Sequence, residues 1–342
     1  MRRRGVTVIL GALITALLAV GVMAAPLPYV VLKPGPTVNT LGSDNGTEVI
    51  QVTDAKTTTS AGQLRLTTVN VQSQVELVWA ISSWFSSSDA VVPRELIYPP
   101  DRTEKQVEQK NAEEWTQSQS SAVTVALTKL GYPARPAVSK VVEGGAATGI
   151  LQKDDVITAV DGTAVDSPAK LTELVRAKPA GSELAISYLR GGKAATAKIT
   201  TKASADDNTP RLGIEIGAKQ DAPFKVEIDL DKIGGPSAGL MFTLGIMDKI
   251  KPEDLTGGKI VAGTGTIDND GNVGPIGGIP QKLVGAKKAG AQLFLVPKGN
   301  CAEALRNSVD GLVMAEVATV DDALTALKTF SGGGTPKPCS AA

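Results

Sequence analysis

Two segments of this 342-residue chain carry residues able to do chemistry on a carbonyl group. The first reads Gly234-Gly235-Pro236-Ser237-Ala238-Gly239 and runs into the apolar stretch Leu240 to Ile246. Two glycines permit a sharp turn, and Pro236 suits the first position of a helix. Ser237 is therefore expected where a strand, Val226 to Leu230, turns into a helix, beside backbone N–H groups that have no helical acceptor. Such donors can hold an oxyanion while a hydroxyl attacks a carbonyl. A glycine-flanked serine at a helix start is also an ordinary cap, so this motif alone decides nothing.

A serine nucleophile needs a base, and the chain contains no histidine. Ser–His–Asp triads, Cys–His pairs and the usual zinc hydrolase sites all require imidazole, so none can be built from this chain. No metal and no cofactor are expected. The remaining candidate is Lys282, in the second segment. Pro280 opens a helix reading Gln281-Lys282-Leu283-Val284-Gly285-Ala286, which places Lys282 in the first turn. There the positive end of the helix dipole disfavours an ammonium. Gly285 and Ala286 let the same face pack closely and exclude water, and desolvation lowers a lysine pKa. A neutral amine can then serve as the base for a serine. Lys287 and Lys288 lie roughly 140° and 240° around the helix from Lys282, at about 100° per residue, and read as a solvated face.

The elements that must position these groups are legible in outline. Leu64, Leu66, Thr68 and Val69 suggest a strand, Ser73 to Phe85 has helical spacing, and Glu104 to Leu130 reads as one long helix ending at Gly131. Before the Lys282 helix come the strand Ile260 to Ala262, Thr264-Gly265-Thr266 and a hairpin turn at Asp270-Gly271-Asn272.

Between about Ala137 and Ala203 a compact pattern appears. The strand Val138 to Val142 is followed by Glu143-Gly144-Gly145, by a tight turn at Asp161-Gly162 and by a helix started by Ser167-Pro168, in which Leu171, Leu174 and Val175 share a face. The stretches GGAATGILQKDDVITAVDG (144–162) and SPAKLTELV (167–175) resemble a PDZ domain of the bacterial, circularly permuted kind. That resemblance implies peptide capture by β-augmentation between the Ala137, Val138 and Val141 strand and the helix bearing Leu171 and Val175. The usual carboxylate loop is not visible, its place falling near Arg135-Pro136, so a preference for free C-termini does not follow.

The catalytic segments have a resemblance of their own. GGPSAGL (234–240), followed 45 residues later (282 − 237) by the lysine of GPIGGIPQKLVGAKKAGA (274–291), is similar to the proteolytic domain of Lon proteases. AGTGTIDNDGNVGPIGG (262–278), QLFLVPKGN (292–300) and VATVDDALTAL (317–327) continue the match. By that resemblance Ser237 is the nucleophile, Lys282 the general base, Thr264 holds the lysine amine, and Gly235 and Pro236 shape the nucleophile turn. Lon enzymes often carry an acidic residue just before Gly-Pro-Ser. This chain has Gly234 there, which implies a looser, substrate-gated loop. No Gly-x-x-x-x-Gly-Lys-Ser/Thr occurs, since six residues before Lys259 stands Glu253 and before Lys193 stands Ser187. The ATPase motor motif of true Lon is missing.

Composition bounds the rest. Apolar residues are 42% and charged residues 20%, and Lys plus Arg and Asp plus Glu each total 35. Three of the basic residues are Arg2, Arg3 and Arg4, so the remainder is mildly acidic (35 − 3 = 32 against 35) and no nucleic-acid surface is expected. Behind them Gly5 to Ala25 is uncharged and largely apolar, and about 20 such residues span ~30 Å of hydrocarbon. The segment reads as a single transmembrane anchor with its N-terminus in the cytoplasm, or as a cleaved signal with Val22-Met23-Ala24 at the cleavage site. Either reading puts the remainder outside the cytoplasm. There Cys301 and Cys339, the only cysteines, form a disulfide or remain as one buried thiol and one in a flexible tail.

The expected organisation is α+β and multidomain: a cytoplasmic tip and anchor (1–31), a small extracytoplasmic β-rich and helical region (32–132), a PDZ domain (133–205), a Lon-like proteolytic domain (206–330) and a flexible tail (331–342). The expected function is an ATP-independent, plasma-membrane-anchored serine endopeptidase acting on peptides or unfolded exported proteins, with the bilayer as a partner. By analogy to Lon, it assembles as a homo-oligomeric ring. The alternative is a catalytically silent PDZ adaptor at the outer membrane face.

Overall fold

The computed structural model describes residues 2–24, 27–204, 207–230 and 234–340. The chain forms two compact units, one from Met1–Val125 together with Val226–Ala342, the other from Ala126–Lys225. It enters the first unit through helix α1 (Arg2–Ala24), strand β1 (Tyr29–Asn39), strand β2 (Gln63–Gln72), helix α2 (Leu77–Trp84), strand β3 (Ala90–Pro93) and helix α3 (Glu104–Lys129). The second unit contributes β4 (Arg135–Val141), β5 (Val156–Val160), helix α4 (Pro168–Arg176), β6 (Glu183–Arg190), β7 (Lys193–Thr200) and β8 (Ile214–Lys219). The first unit then resumes with α5 (Gly239–Ile250), β9 (Ile260–Gly263), α6 (Ile279–Lys288), β10 (Leu293–Pro297), α7 (Cys301–Arg306), β11 (Val313–Val317) and α8 (Val320–Ser331).

One mixed sheet organises the first unit, in the order β11-β10-β9-β2-β1-β3. β9, β10 and β11 run parallel to one another, and β9 pairs parallel with β2, Ile260 opposite Gln63 and Gly263 opposite Leu66. β10 reads Leu-Phe-Leu-Val-Pro and is buried throughout, as a strand covered on both faces must be. β1 joins β2 antiparallel, with an irregularity between Pro34 and Thr37 where Pro34 and Pro36 interrupt the ladder. α5 is buried from Gly239 to Lys249, which explains why Thr243 is the one polar residue between Leu240 and Met247.

This arrangement differs from the expected division of the chain. Residues 32–132 do not stand apart: β1, β2 and β3 are half of the sheet that carries the 226–342 segment. The pairing of β2 with β9 joins strands far apart in sequence, which local periodicity cannot reveal. The tail is also tied down. Cys301 and Cys339 are bonded, Pro338 bridges to Ala315, and buried Glu316 binds Lys337 Nζ at 2.8 Å and Ser340 Oγ at 3.1 Å.

The expected transmembrane helix is not supported. Among the described residues no helix is long and apolar enough to cross a membrane. The described side chains of α1 from Gly5 to Leu17 are all exposed. Ala25, the last residue of the expected span, lies outside the described residues.

The second unit is a five-strand path in the order β7-β6-β5-β4-β8, with α4 packed over a core that includes Val138, Ile157, Leu171, Leu184, Ile186 and Ile199. The expected turn at Asp161-Gly162 is present with φ of 47° and 77°, the double positive φ of a type I′ hairpin. Ser167 caps α4 through Lys170 N–H, with Pro168 in its first turn.

Candidate active site

Ser237 lies in the turn before α5, half-buried. Pro236 was expected at the first helical position, but α5 begins at Gly239 with Ala238 as its cap. The reason lies in the Ser237 carbonyl. It accepts the Gly265 N–H at 2.9 Å and the Thr264 hydroxyl at 3.0 Å, so both lone pairs are used outside the helix. Gly235, at φ +84°, donates its N–H to Asn111 O at 3.0 Å, and Ser118 Oγ donates to Pro236 O at 3.1 Å. Asn111 and Ser118 both belong to α3. A Cβ at Gly239 would stand 2.6 Å from Ile267 Cγ2 and 2.9 Å from Ser118 Oγ, so only glycine fits where α5 meets α3. Among the described residues the Ser237 and Ala238 N–H groups have no backbone acceptor, which leaves them available as donors beside the hydroxyl.

Lys282 sits in the first turn of α6, where Gly278 at φ +72° begins the helix and accepts the Lys282 N–H at 3.1 Å. A side chain at Gly278 would meet Val69 Cγ2 at 2.5 Å, so this glycine also permits α6 to approach β2. The Lys282 side chain runs inward and is 3% exposed. Its Nζ donates to Thr264 Oγ1 at 2.9 Å, and Thr264 is fully buried. Burial lowers the Lys282 pKa from 10.5 to about 7. Lys287 and Lys288 are exposed on the opposite side of the helix.

Ser237 and Lys282 line one cleft of about 940 Å³ in the first unit. β2 forms a wall of this cleft with Thr67 to Val71. β1 covers one edge of β2 along its length, whereas β9 pairs with the other edge only from Gln63 to Leu66. Among the described residues the edge beside the cleft, from Thr67 to Val71, is therefore unpaired. Among the described residues Glu108 is the only acidic one of the lining, among apolar neighbours such as Leu96, Ile97 and Val107.

The second unit carries an open edge of its own, but not where the sequence placed it. β4, with Ala137, Val138 and Val141, has partners on both sides: β8 from Arg135 to Val141 and β5 at Ala137. Val138, Leu171 and Val175 are core residues, and Ala137 is buried as well. A further strand cannot add to β4. β7 and β8 end the path, and of these two edge strands β8 is the one that lies beside α4; it is entered through Leu212 and Gly213, the latter at φ +73°. The order of strands along the chain hid this, since β8 follows α4 and returns to pair with the first strand of the unit.

Residues 229–328 match the family model of the Lon protease (S16) C-terminal proteolytic domain, and residues 107–201 match that of the PDZ domain. The chain joins a PDZ domain to a Lon-type proteolytic domain. Lon protease 2 of Bacillus subtilis (strain 168) is 38% identical over 94 residues, 27% of this chain and 16% of that protein. The Lon protease of Azospirillum brasilense is 40% identical over 93 residues, 26% of this chain and 11% of that one. The chain thus matches less than a fifth of the length of either relative. Among solved structures, the PDZ domain of an SdrC-like protein from Listeria innocua is 32% identical and covers 24% of this chain and 92% of its own, with a TM-score of 0.23. In the first unit the groups that sequence reasoning missed are Asn111, Ser118 and Gly265, which hold the Ser237 turn. The only sequence signal for the first two was that they fall on the long helix expected from Glu104 to Leu130.

Proposed function

We propose that this chain is an ATP-independent serine endopeptidase with a Ser237–Lys282 dyad and that its PDZ domain selects substrates through the β8 edge. The observation that carries the reading is the buried Lys282 amine, held by Thr264 at 2.9 Å in the cleft that Ser237 lines, with a pKa near 7. A neutral amine keeps one lone pair after donating to Thr264, and that lone pair accepts the Ser237 proton. The freed Oγ attacks the peptide carbonyl carbon. The oxyanion that forms is held by the N–H groups beside Ser237. The Lys282 ammonium then protonates the leaving amine as the C–N bond breaks, leaving an acyl-enzyme. Water, deprotonated by Lys282, attacks the ester and returns Ser237 to its hydroxyl form.

A substrate lies in the cleft as an extended segment along the unpaired edge of β2, where main-chain hydrogen bonds supply affinity without sequence preference. Apolar lining favours apolar side chains next to the scissile bond. The location is proposed from the sequence: Arg2 to Arg4 and the apolar run behind them hold the chain in the plasma membrane with both domains outside, a compartment that suits the Cys301–Cys339 bond. Ring assembly follows from the Lon resemblance and is read out by sedimentation. The deciding experiment is labelling by a serine-reactive fluorophosphonate. The reading requires label on the wild type and none on Ser237→Ala. Equal labelling of both, or cleavage of no unfolded peptide by the folded wild type, leaves a PDZ binding protein instead.

A further inference from the structure

Immediately after the cleft wall, β2 leads into α2, and this helix presents an apolar surface that the described residues leave exposed. No residue from Leu77 to Ser88 carries a charge. Ala80 and Ser83 face inward, Ala80 against Val31 and Val75. Outward stand Trp79 at 60%, Trp84 at 71% and Phe85 at 86% exposure, with Val78 and Ile81 each more than half exposed. At about 100° per residue the exposed positions cover an arc of ~220°, in which Ser82 is the only hydroxyl. Two of the three tryptophans in the chain are spent on this face, while Trp115 is buried edge-to-face against Phe242. Soluble proteins rarely leave a contiguous patch of this kind uncovered.

We infer that α2 docks on a lipid surface, with Trp79, Trp84 and Phe85 at the level of the headgroups. Three features select lipid over a protein partner. α2 packs against α1, whose described apolar side chains from Val6 to Leu17 are also more than half exposed, so the two helices form one continuous apolar surface. Among the described side chains of α1, from Gly5 to Leu17, that exposure runs around every face, a pattern that suits a surrounding apolar solvent and not a single docked face. Tryptophan is the residue that prefers the boundary between hydrocarbon and water, and an aromatic helix seats about 5–10 Å into it.

The docking has a consequence for substrate choice, which rests on the endopeptidase reading. Val71 lines the cleft and Leu77 opens α2, and six residues of chain span at most ~20 Å. A docked α2 holds the cleft within that distance of the bilayer, where it meets extended segments emerging from the same membrane.

The docking itself is tested without any assay of proteolysis. The full chain is reconstituted into phosphatidylcholine–phosphatidylglycerol vesicles with bromine on shallow acyl carbons, and tryptophan emission is compared with unbrominated vesicles. Quenching of at least half the wild-type emission is expected, and none in W79F/W84F, which retains only Trp115. A chain that floats with the vesicles yet shows no difference between the two proteins overturns the inference, because α1 alone then holds it. Failure to float overturns it as well. Unquenched Trp79 and Trp84 emission that shifts to the blue with protein concentration assigns the face to a second copy. As a check independent of fluorescence, W79S/W84S/F85S should weaken vesicle binding at least tenfold.

Discussion

The Lys282 amine donates to the Thr264 hydroxyl at 2.9 Å, and the same hydroxyl donates to the Ser237 carbonyl at 3.0 Å. One buried oxygen thus fixes both the direction of the lysine and the backbone of the serine turn. Lys282 stands in the first turn of α6 and Ser237 in the turn before α5, and this hydroxyl links the two.

Because Lys282 must be neutral to act, activity should rise with pH. Its pKa of about 7 places the limb there: kcat/KM increases about tenfold per unit below pH 7 and levels off above it. The chain has no histidine to supply such a limb. Lys282→Arg keeps a positive charge at every usable pH and should fall to near background. Normal turnover by a folded Lys282→Arg protein ends the dyad mechanism.

Thr264→Val is nearly isosteric and removes both hydrogen bonds. Loss of ~1.4–3 kcal/mol of orientation corresponds to a drop on the order of 10- to 100-fold in kcat, smaller than the loss from Lys282→Ala. The comparison is made on one unfolded peptide at pH 8.5. A Val variant as inactive as Lys282→Ala would show that Thr264 does more than orient.

The same lysine weakens the fold in a defined pH window. Its folded pKa is depressed to about 7 from 10.5, so between these values the unfolded chain binds the proton and the folded chain does not. Stability therefore rises with pH from about 7 to about 10.5, and below 7 the full penalty persists. At ~1.36 kcal/mol per unit the ceiling is about 5 kcal/mol. Lys282→Met should melt above the wild type at pH 6, and the gap should close toward pH 10. A constant gap across that range would show that the lysine is not desolvated.

Much of this site could be read from the sequence, and what could not has a common cause. The Ser237 turn, the first-turn position of Lys282 and the Asp161-Gly162 hairpin follow from local chemistry: glycine at positive φ, proline at helix starts, apolar period. What was misread depends on which strand pairs with which. β2 beside β9 and β8 beside β4 join segments with no local signature of their partner, so the N-terminal strands looked like a separate region and the PDZ edge was assigned to β4. The shift of the α5 start from Pro236 to Gly239 has the same origin, a carbonyl claimed by a distant loop.

The Cys301–Cys339 bond closes a loop across a sequence separation of 38 and fixes the C-terminal segment over β11. Chain-entropy reasoning gives ~4 kcal/mol for a loop of this length. Denaturant unfolding with and without reductant should shift by about that amount, with turnover of the folded protein unchanged, since neither cysteine lines the cleft. Loss of activity on mild reduction, without unfolding, would tie the tail to the active site.

The last prediction concerns α3, which holds the nucleophile turn from outside it. Ser118 Oγ donates to Pro236 O, Asn111 O accepts from Gly235, and the Gly239 Cα packs against Ser118. Ser118→Ala removes one hydrogen bond, worth about 1 kcal/mol, and opens a little space. Gly239→Ala does the reverse, forcing a methyl to within 2.6 Å of Ile267 and 2.9 Å of Ser118, an overpacking of ~1–3 kcal/mol. If the turn is held by α3, both variants should lower kcat beyond their effect on melting, several-fold for Ser118→Ala and more for Gly239→Ala. Neither should move the pH limb, because Lys282 is untouched. The double variant discriminates further. Removing the Ser118 hydroxyl relieves one of the two contacts made by the new methyl, so S118A/G239A should be less impaired than the product of the single effects. Strict additivity would mean that Ser118 and Gly239 act on separate parts of the site, and that Ile267 alone sets the position of α5.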